Sequence, residues 1–151
     1  MCTKILVVDD EISIRKLLFD LLEMERYYVE LASSAEEALE KIKETDFDLI
    51  ISDIRMPGMD GFKLLEKIRT MNVDSAVIFI TGYGSVSDAV EAIKLGVVDY
   101  IEKPFDIGQL KNLVSQILNE LYLQRAIAKD KLLVYILSRA IFDKQLRGPI
   151  H

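Results

Sequence analysis

Five short apolar runs alternate along this chain with longer stretches in which apolar residues recur every three or four positions. The first pattern is typical of β-strands and the second of amphipathic helices. Three of the runs are continuously apolar, as in strands that are covered on both faces. The predicted strands cover residues 5–8, 28–31, 49–51, 76–80 and 97–101.

The boundaries of the helices between these strands are also marked. Overlapping capping-box patterns begin at Ser33 and Ser34, and another begins at Asp106. Gly96 follows a helical stretch at the position where a residue with positive φ commonly ends a helix. Five β–α repeats of this length predict an α/β fold, with a parallel sheet, helices on both faces and right-handed crossovers. Ligands of such sheets bind beyond the carboxyl ends of the strands.

The composition supports one domain and excludes several kinds of site. The chain has 151 residues and is 50% hydrophobic, which is incompatible with a mostly disordered protein. No apolar run approaches the ~20 residues of a bilayer crossing, and the first residues lack the apolar core of a signal peptide. We therefore expect a soluble, cytoplasmic protein without a membrane partner. Cys2 and His151 are the only residues of their types, which excludes disulfide frameworks, His-based zinc sites and Ser/His/Asp triads.

The charge is unevenly distributed. Residues 1–119 carry 13 basic and 22 acidic side chains, a net charge of −9, whereas residues 120–151 carry 6 and 3, a net charge of +3. A strongly acidic surface repels nucleic acid, so we expect no nucleic-acid contact by the main domain itself.

Chemically functional residues follow four of the predicted strands. Asp9 and Asp10 follow the first strand, Asp53 the third, Thr81 the fourth and Lys103 the fifth. Each has a simpler explanation when taken alone: a helix N-cap for Asp9 or Asp10, a turn for Asp53, a strand end for Thr81 and a solvated loop for Lys103. The cluster as a whole has no such simple explanation, because neighbouring carboxylates repel each other unless a cation compensates them.

A hard divalent cation is the natural compensation for clustered carboxylates, and Mg²⁺ accepts carboxylate, carbonyl and water oxygens together. With a lysine and a threonine nearby, such a pocket presents a cation, an ammonium and a hydroxyl to one anionic group. A carboxylate can itself attack phosphorus to form an aspartyl-phosphate. The pattern therefore predicts a phosphoryl site.

These segments resemble the receiver domain of two-component response regulators. The resemblance rests on DD at 9–10, DIRMPGMDG at 53–61, TG at 81–82 and KPF at 103–105, and it covers roughly residues 3–120. The stretches DIRMPGMDG at 53–61, TGYGSVSDAVEAIKLG at 81–96 and DYIEKPF at 99–105 look most like the nitrogen-regulation subfamily, whose members activate transcription with an alternative sigma factor. The resemblance implies a flavodoxin-like, doubly wound sheet of five parallel strands in the order 2-1-3-4-5. It also implies a receiver over residues 1–120 and a helical extension or linker over residues 121–151, that is, an extra C-terminal helix.

The same resemblance assigns roles to the residues that match its motifs. Asp53 is the expected phosphoacceptor, and the expected donor is the phosphohistidine of a sensor histidine kinase. Asp10, Asp53 and the backbone carbonyl of Arg55 are expected to ligate Mg²⁺, with Asp9 holding a ligating water. Lys103 is expected to bind the phosphoryl oxygens. A cis peptide bond is expected between Lys103 and the proline that follows it.

The resemblance also predicts a conformational switch. Thr81 is expected to move to the phosphoryl group, and Tyr100 to swing inward into the space it leaves. Tyr100 could equally be an ordinary core aromatic. Ile14 matches a position that docks kinase helices but could also be core, while Arg55 and Tyr83 match positions that tune dephosphorylation.

The sequence indicates the output of the conformational switch less specifically than it indicates the phosphoryl site. The switch is expected to reshape the face formed by the fourth helix, fifth strand and fifth helix, and thereby to control transcription through dimerisation. No turnover substrate is expected, and the absence of a G-x-x-x-x-G-K-[ST] motif means that no ATPase is encoded here. The chain is either a stand-alone receiver or part of a longer regulator.

Residues 119–147 predict a long helix that continues or follows the fifth one, with Gly148 and Pro149 as its stop. A broad apolar stripe runs along it, with Asp130 and Lys144 at positions where a regular heptad needs apolar residues. Folding back on the domain, dimerisation and binding to a membrane surface or nucleic acid all remain open. The stripe consists of Leu123, Ala126, Ile127, Leu133, Val134, Leu137, Ala140 and Ile141.

The residues after the first strand disfavour two other functions. A Mg²⁺-dependent phosphatase with Asp9 as nucleophile usually carries D-x-D after the first strand, whereas here the two acids are adjacent. A flavodoxin-like nucleotide-binding module needs a Gly-rich or Ser/Thr-rich phosphate loop at that point, and DDEISIRK provides neither.

Overall fold

The computed structural model describes residues 2–82 and 85–148, and it confirms the predicted alternation of strands and helices. Five strands and five helices follow one another along the chain. Their bounds are β1 Lys4–Val8, α1 Ile12–Met24, β2 Tyr28–Ala32, α2 Ala35–Glu44, β3 Leu49–Ser52, α3 Gly61–Thr70, β4 Ala76–Thr81, α4 Val86–Lys94, β5 Asp99–Glu102 and α5 Ile107–Leu146.

The strands form one parallel sheet in the order β2-β1-β3-β4-β5, as the resemblance implied. Each of the four neighbouring pairs is parallel. Because β1 and β3 are adjacent and β4 lies beside β3, the loops that follow these three strands emerge next to each other. The first residues after the strands are therefore close in space although they are far apart in the chain.

Alternate residues of the strands face opposite sides of the sheet. One set, including Leu6 of β1 and Phe79 of β4, joins α2 and α3 in a single core cluster, where Phe79 meets Phe62 edge-to-face at 5.5 Å. The other set is buried outside that cluster, together with Leu22 of α1 and Leu110 of α5. Burying a leucine of this kind contributes roughly 1.5–3 kcal/mol, so both layers stabilise the sheet that carries the strand ends.

The structure shows which of the helix ends predicted from the sequence form. Ser34 rather than Ser33 caps α2, because its hydroxyl accepts the backbone N–H of Glu37 at 3.1 Å. Asp106 accepts the N–H of Gln109 at 2.8 Å at the start of α5. Gly96 has a φ of +87° after α4, as predicted for a residue that ends a helix in the left-handed conformation.

α5 is one continuous helix of 40 residues, so the predicted extra helix is a continuation of the fifth helix. The chain divides into two compact units, one up to Val114 and one from Ser115 onward. In the second unit every residue from Tyr122 to Gly148 is exposed. Among the described residues, no helix is both long enough and apolar enough to cross a bilayer.

Candidate phosphoryl site

Asp9 and Asp10 follow β1 and differ in their exposure to solvent. Asp9 is only 2% exposed, whereas Asp10 is exposed to solvent. The Asp9 backbone continues the sheet by donating to the Ala32 carbonyl of β2 at 3.1 Å. Its carboxylate Oδ1 accepts the backbone N–H of Glu11 at 2.9 Å. Glu11 is itself the N-cap residue of α1 and makes no side-chain cap bond, so the simpler explanation of Asp9 or Asp10 as the N-cap is wrong.

Asp53 directly follows β3 and is 5% exposed. Its N–H donates to the Val8 carbonyl at 2.8 Å, which continues the pairing of β3 with β1 one residue beyond the strand. Its Oδ1 accepts the N–H of Ile54 at 2.7 Å, leaving Oδ2 directed at the other side chains of the site. The loop returns closely on itself, because Gly61 donates to the Ile54 carbonyl at 2.8 Å.

Lys103 joins these two carboxylates. Its ammonium lies 2.8 Å from Asp9 Oδ2 and 3.0 Å from Asp53 Oδ2, and its side chain is only 12% exposed. Glu11 is a more distant third carboxylate, 3.8 Å away. The Lys103 N–H donates to the Thr81 carbonyl at 2.9 Å, which fixes its backbone beside the end of β4. The peptide bond between Lys103 and Pro104 is cis, as expected.

Burial and pairing shift the pKa values of this site. Burial disfavours the charged form of Asp9 and raises its pKa above the ordinary value, although the hydrogen bonds from Lys103 and Glu11 oppose this shift. Burial also disfavours the charged form of Lys103, but its bonds to Asp9 and Asp53 outweigh that effect and raise its pKa. Lys103 is therefore held as a cation between two carboxylates.

Asp9, Asp10 and Asp53 each place a carboxylate oxygen within 4.8 Å of the other two. Three carboxylates and one ammonium leave the site with an excess of negative charge. Oxygen ligands in this number and at this spacing suit a small hard cation such as Mg²⁺, which retains water or substrate oxygens in its other positions. The residues therefore fit the predicted magnesium site.

The two predicted switch residues lie next to this cluster in the sheet. Thr81 is the last residue of β4 and is fully buried. Tyr100 lies in the middle of β5, opposite Phe79, and its ring packs against the core cluster. Among the described residues the Tyr100 hydroxyl is buried without a hydrogen-bond partner. Burial raises the pKa of this phenol, and the Asp88 and Glu102 carboxylates raise it further.

The sequence did not indicate the role of Asp88. Its carboxylate accepts two hydrogen bonds from the Arg55 guanidinium, at 3.1 and 2.9 Å, and so connects the first turn of α4 to the loop that carries Asp53. Asp88 lies three residues after Ser85, whose hydroxyl accepts its N–H, and thus looked like an ordinary first-turn acid. Ile14 is partly buried, and Tyr83 lies outside the described residues.

Comparisons with known proteins agree with this geometry. The family model of the response regulator receiver domain matches residues 5–115. The transcriptional regulatory protein ZraR of Klebsiella oxytoca is 46% identical over 114 residues, 76% of this chain and 26% of that protein.

Solved receiver structures match over most of their length. A CheY-like receiver domain protein of Methanospirillum hungatei JF-1 superposes with a TM-score of 0.79 at 35% identity, covering 82% of this chain and 99% of that chain. The beryllofluoride-activated NtrC4 receiver domain dimer superposes with a TM-score of 0.73 at 42% identity, covering 78% and 97%. This chain spans about a quarter of the length of ZraR and similar relatives and 60% of the length of the transcriptional regulatory protein FixJ of Bradyrhizobium diazoefficiens.

Proposed function

We propose, on the premise that this chain belongs to the response regulator receiver domain family, that it accepts a phosphoryl group on Asp53 from a sensor histidine kinase in the cytoplasm. The observation that carries the proposal is the ammonium of Lys103, held between Asp9 and Asp53 in a cluster of three carboxylates. An ion pair with Lys103 alone would need only one carboxylate. The other two carboxylates of the cluster provide a site for a divalent cation beside Asp53, whose carboxylate can act as nucleophile.

In the proposed reaction an oxygen of Asp53 attacks the phosphorus of the donor phosphohistidine. The new O–P bond forms as the P–N bond to the donor imidazole breaks, and the electron pair of that bond leaves with the imidazole. A bound Mg²⁺ supplies positive charge for the transferring oxygens. Asp10, Asp53 and the backbone carbonyl of Arg55 are the proposed ligands, and Asp9 is proposed to hold a metal-bound water.

Lys103 is proposed to exchange one partner during this reaction. Before phosphorylation it neutralises Asp53 directly, at 3.0 Å. Afterwards one of its three donors can stay on Asp9, 2.8 Å away, while the other two bind the phosphoryl oxygens. An ammonium that is already positioned needs no reorganisation as negative charge develops, which is the main source of electrostatic stabilisation in such sites.

The proposed output is a two-state switch. The phosphoryl group adds about −1.5 to −2 charges and three acceptor oxygens. These oxygens recruit the Thr81 hydroxyl, Tyr100 adjusts into the space that is released, and the face of α4, β5 and the start of α5 changes shape. Since relatives that match this chain are transcriptional regulatory proteins, we propose that the switch controls transcription by changing a homodimer. The dimer would form through that face or through the C-terminal part of α5.

Mass spectrometry of the intact chain tests the chemistry. After incubation with acetyl phosphate and Mg²⁺, we expect one adduct of about 80 Da, the mass of one phosphoryl group, which a chelator prevents. Asp53→Asn should abolish the adduct. Asp46→Asn, which removes an exposed carboxylate outside the site, should leave it unchanged.

Two results would contradict the assignment. An adduct that survives Asp53→Asn but disappears in Asp9→Asn would favour the phosphatase-type alternative, in which Asp9 is the nucleophile. A folded protein that binds Mg²⁺ but forms no adduct, from acetyl phosphate or from a sensor kinase, would exclude phosphoacceptor function altogether.

A further inference from the structure

The C-terminal part of α5 presents an apolar stripe to solvent. Its six large apolar side chains are each between 45% and 63% exposed. With 100° per residue, the stripe occupies one side of the helix, centred close to Leu137. Its large members are Leu123, Ile127, Leu133, Val134, Leu137 and Ile141. A contiguous apolar surface of this kind commonly marks a site of association.

Two charges of opposite sign interrupt the stripe symmetrically. Asp130 lies seven residues before Leu137 and Lys144 lies seven residues after it. Seven residues are almost two helical turns, so both side chains project within about 20° of Leu137. Any helix that covers the part of the stripe around Leu137 must therefore also face Asp130 on one side of it and Lys144 on the other.

This charge pattern distinguishes the two ways of pairing with an identical helix. A parallel pair in register places Asp130 beside Asp130 and Lys144 beside Lys144, and like charges at facing positions destabilise a helical seam. An antiparallel pair centred near Leu137 places each Asp130 within about one turn of the partner's Lys144, so both ends gain an opposite-charge contact. The part of the stripe between residues 130 and 144 is self-complementary in the antiparallel orientation alone.

The opposite side of the helix is a weaker candidate for the same contact. It also carries large apolar residues, including Leu132, Tyr135, Phe142 and Leu146. Arg139 lies in the middle of them, however, and would meet the Arg139 of a second copy near the centre of either pairing. The charge pattern therefore selects the stripe around Leu137.

We infer that residues 130–144 pair antiparallel with the same segment of a second copy of this chain, with Asp130 of each helix opposite Lys144 of the other. The paired segment is about 22 Å long. This inference deepens the proposed control by dimerisation and rests on it. It adds which surface pairs, in which direction, and which two residues select that direction.

Charge exchange tests the pairing in the full chain by sedimentation equilibrium. In the antiparallel pair, Asp130→Lys or Lys144→Asp alone turns both opposite-charge contacts into like-charge contacts, so each should weaken dimerisation by about tenfold or more. The double variant Asp130→Lys/Lys144→Asp recreates both contacts and should restore the wild-type dissociation constant. In a parallel pair all three variants would exchange one like-charge contact for another and would resemble the wild type.

A distance measurement tests the direction independently. Replacing Cys2 by Ser and exposed Gln124 by Cys gives one spin-label site per chain, 13 residues from Leu137. In the antiparallel pair the two labels are about 40 Å apart, whereas in a parallel pair they are closer than about 25 Å.

A short label distance, single charge variants that dimerise as the wild type does, or a chain that is monomeric at every concentration would each overturn the inference. The last result includes a monomer that binds anionic vesicles or nucleic acid instead. Phosphorylation of Asp53 by acetyl phosphate is measured on the same samples. Because the substitutions lie outside the phosphoryl site, a normal adduct with no antiparallel dimer contradicts this inference alone, whereas a missing adduct contradicts the proposed phosphoacceptor function.

Discussion

Replacing Asp53 by Asn should make the folded protein more stable when divalent cations are absent. The site holds three carboxylates within 4.8 Å of one another and one ammonium. At an effective dielectric constant of about 20, each carboxylate pair at that distance repels by about 3.5 kcal/mol, and the Lys103–Asp53 pair at 3.0 Å attracts by about 5.5 kcal/mol. The two repulsions on Asp53 therefore exceed its one attraction by about 1.5 kcal/mol.

Asparagine removes this excess while keeping the volume and the acceptor for the Ile54 N–H. Solvent around exposed Asp10 weakens its share of the repulsion, whereas relief of the buried charge of Asp53 adds to the gain. We expect the free energy of unfolding at pH 7 in chelator to rise by about 1–2 kcal/mol. That corresponds to an increase of about 0.5–1 M in the urea midpoint.

Urea denaturation followed by circular dichroism measures this difference at matched protein concentration. Mg²⁺ should stabilise the wild type more than the variant, because binding to the folded state alone adds stability and the variant lacks one ligand. In Mg²⁺, the difference in the free energy of unfolding between Asp53→Asn and the wild type should therefore shrink or reverse. Asp46→Asn, at an exposed position, should stay within about 0.5 kcal/mol of the wild type under both conditions.

Lowering the pH provides a second test of the repulsion between the carboxylates. Because the pKa of Asp9 is raised in the folded state, that group stabilises the fold below its unfolded pKa, and the contribution is lost as the pH rises through the folded pKa. Lowering the pH from 7 through that value should thus narrow the gap between wild type and Asp53→Asn, since the Asp53 charge is one cause of the raised pKa. An Asp53→Asn protein that is less stable than the wild type in chelator would refute the excess of negative charge.

Three further substitutions test other parts of the site. Gly61→Ala should lower the free energy of unfolding by about 2–3 kcal/mol in urea denaturation, because its Cβ would lie 2.5 Å from the Asp53 carbonyl oxygen; a neutral effect would contradict the close approach of the loop. Lys103→Met should tighten Mg²⁺ binding by about tenfold in calorimetry, because the cation no longer competes with the ammonium, while adduct formation from acetyl phosphate slows; a parallel loss of both would contradict this competition. Asp88→Asn should lower the pKa of Tyr100, because a neighbouring carboxylate no longer opposes the phenolate; NMR titration of the phenol measures the shift, and an unchanged value would place Asp88 too far away to act.

The order and type of the elements could be predicted from periodicity, whereas each strand differs from its predicted bounds by at least one residue and the fifth strand differs most. The fifth strand was predicted over residues 97–101, but β5 is Asp99–Glu102. Val97 looks like the first strand residue because it is apolar and buried. Its N–H instead donates to the Ala92 carbonyl of α4 at 3.2 Å, so it completes the helix end around Gly96. The strand pairing begins one residue later, where Val98 donates to Val77.

The adjacent acids after β1 show a second limit. Asp9 and Asp10 are chemically identical, and local sequence does not decide which of them is buried. In the fold, continuation of the β1 pairing buries Asp9 and leaves Asp10 exposed. The metal-ligand roles assigned to Asp9, Asp10 and Asp53 stay predictions that the experiments above address.

The sequence by itself determined the α/β repeat, the parallel sheet and the set of groups at its carboxyl edge. The reason is that these depend on short-range patterns: the period of apolar residues, the caps and the residue that follows each strand. Only the tertiary structure decided which of these groups meet. Lys103 bonds Asp9 and Asp53 across separations of 94 and 50 residues, and Arg55 bonds Asp88 across 33. Such contacts depend on strand order and on the direction in which each loop leaves the sheet, and no local pattern encodes either.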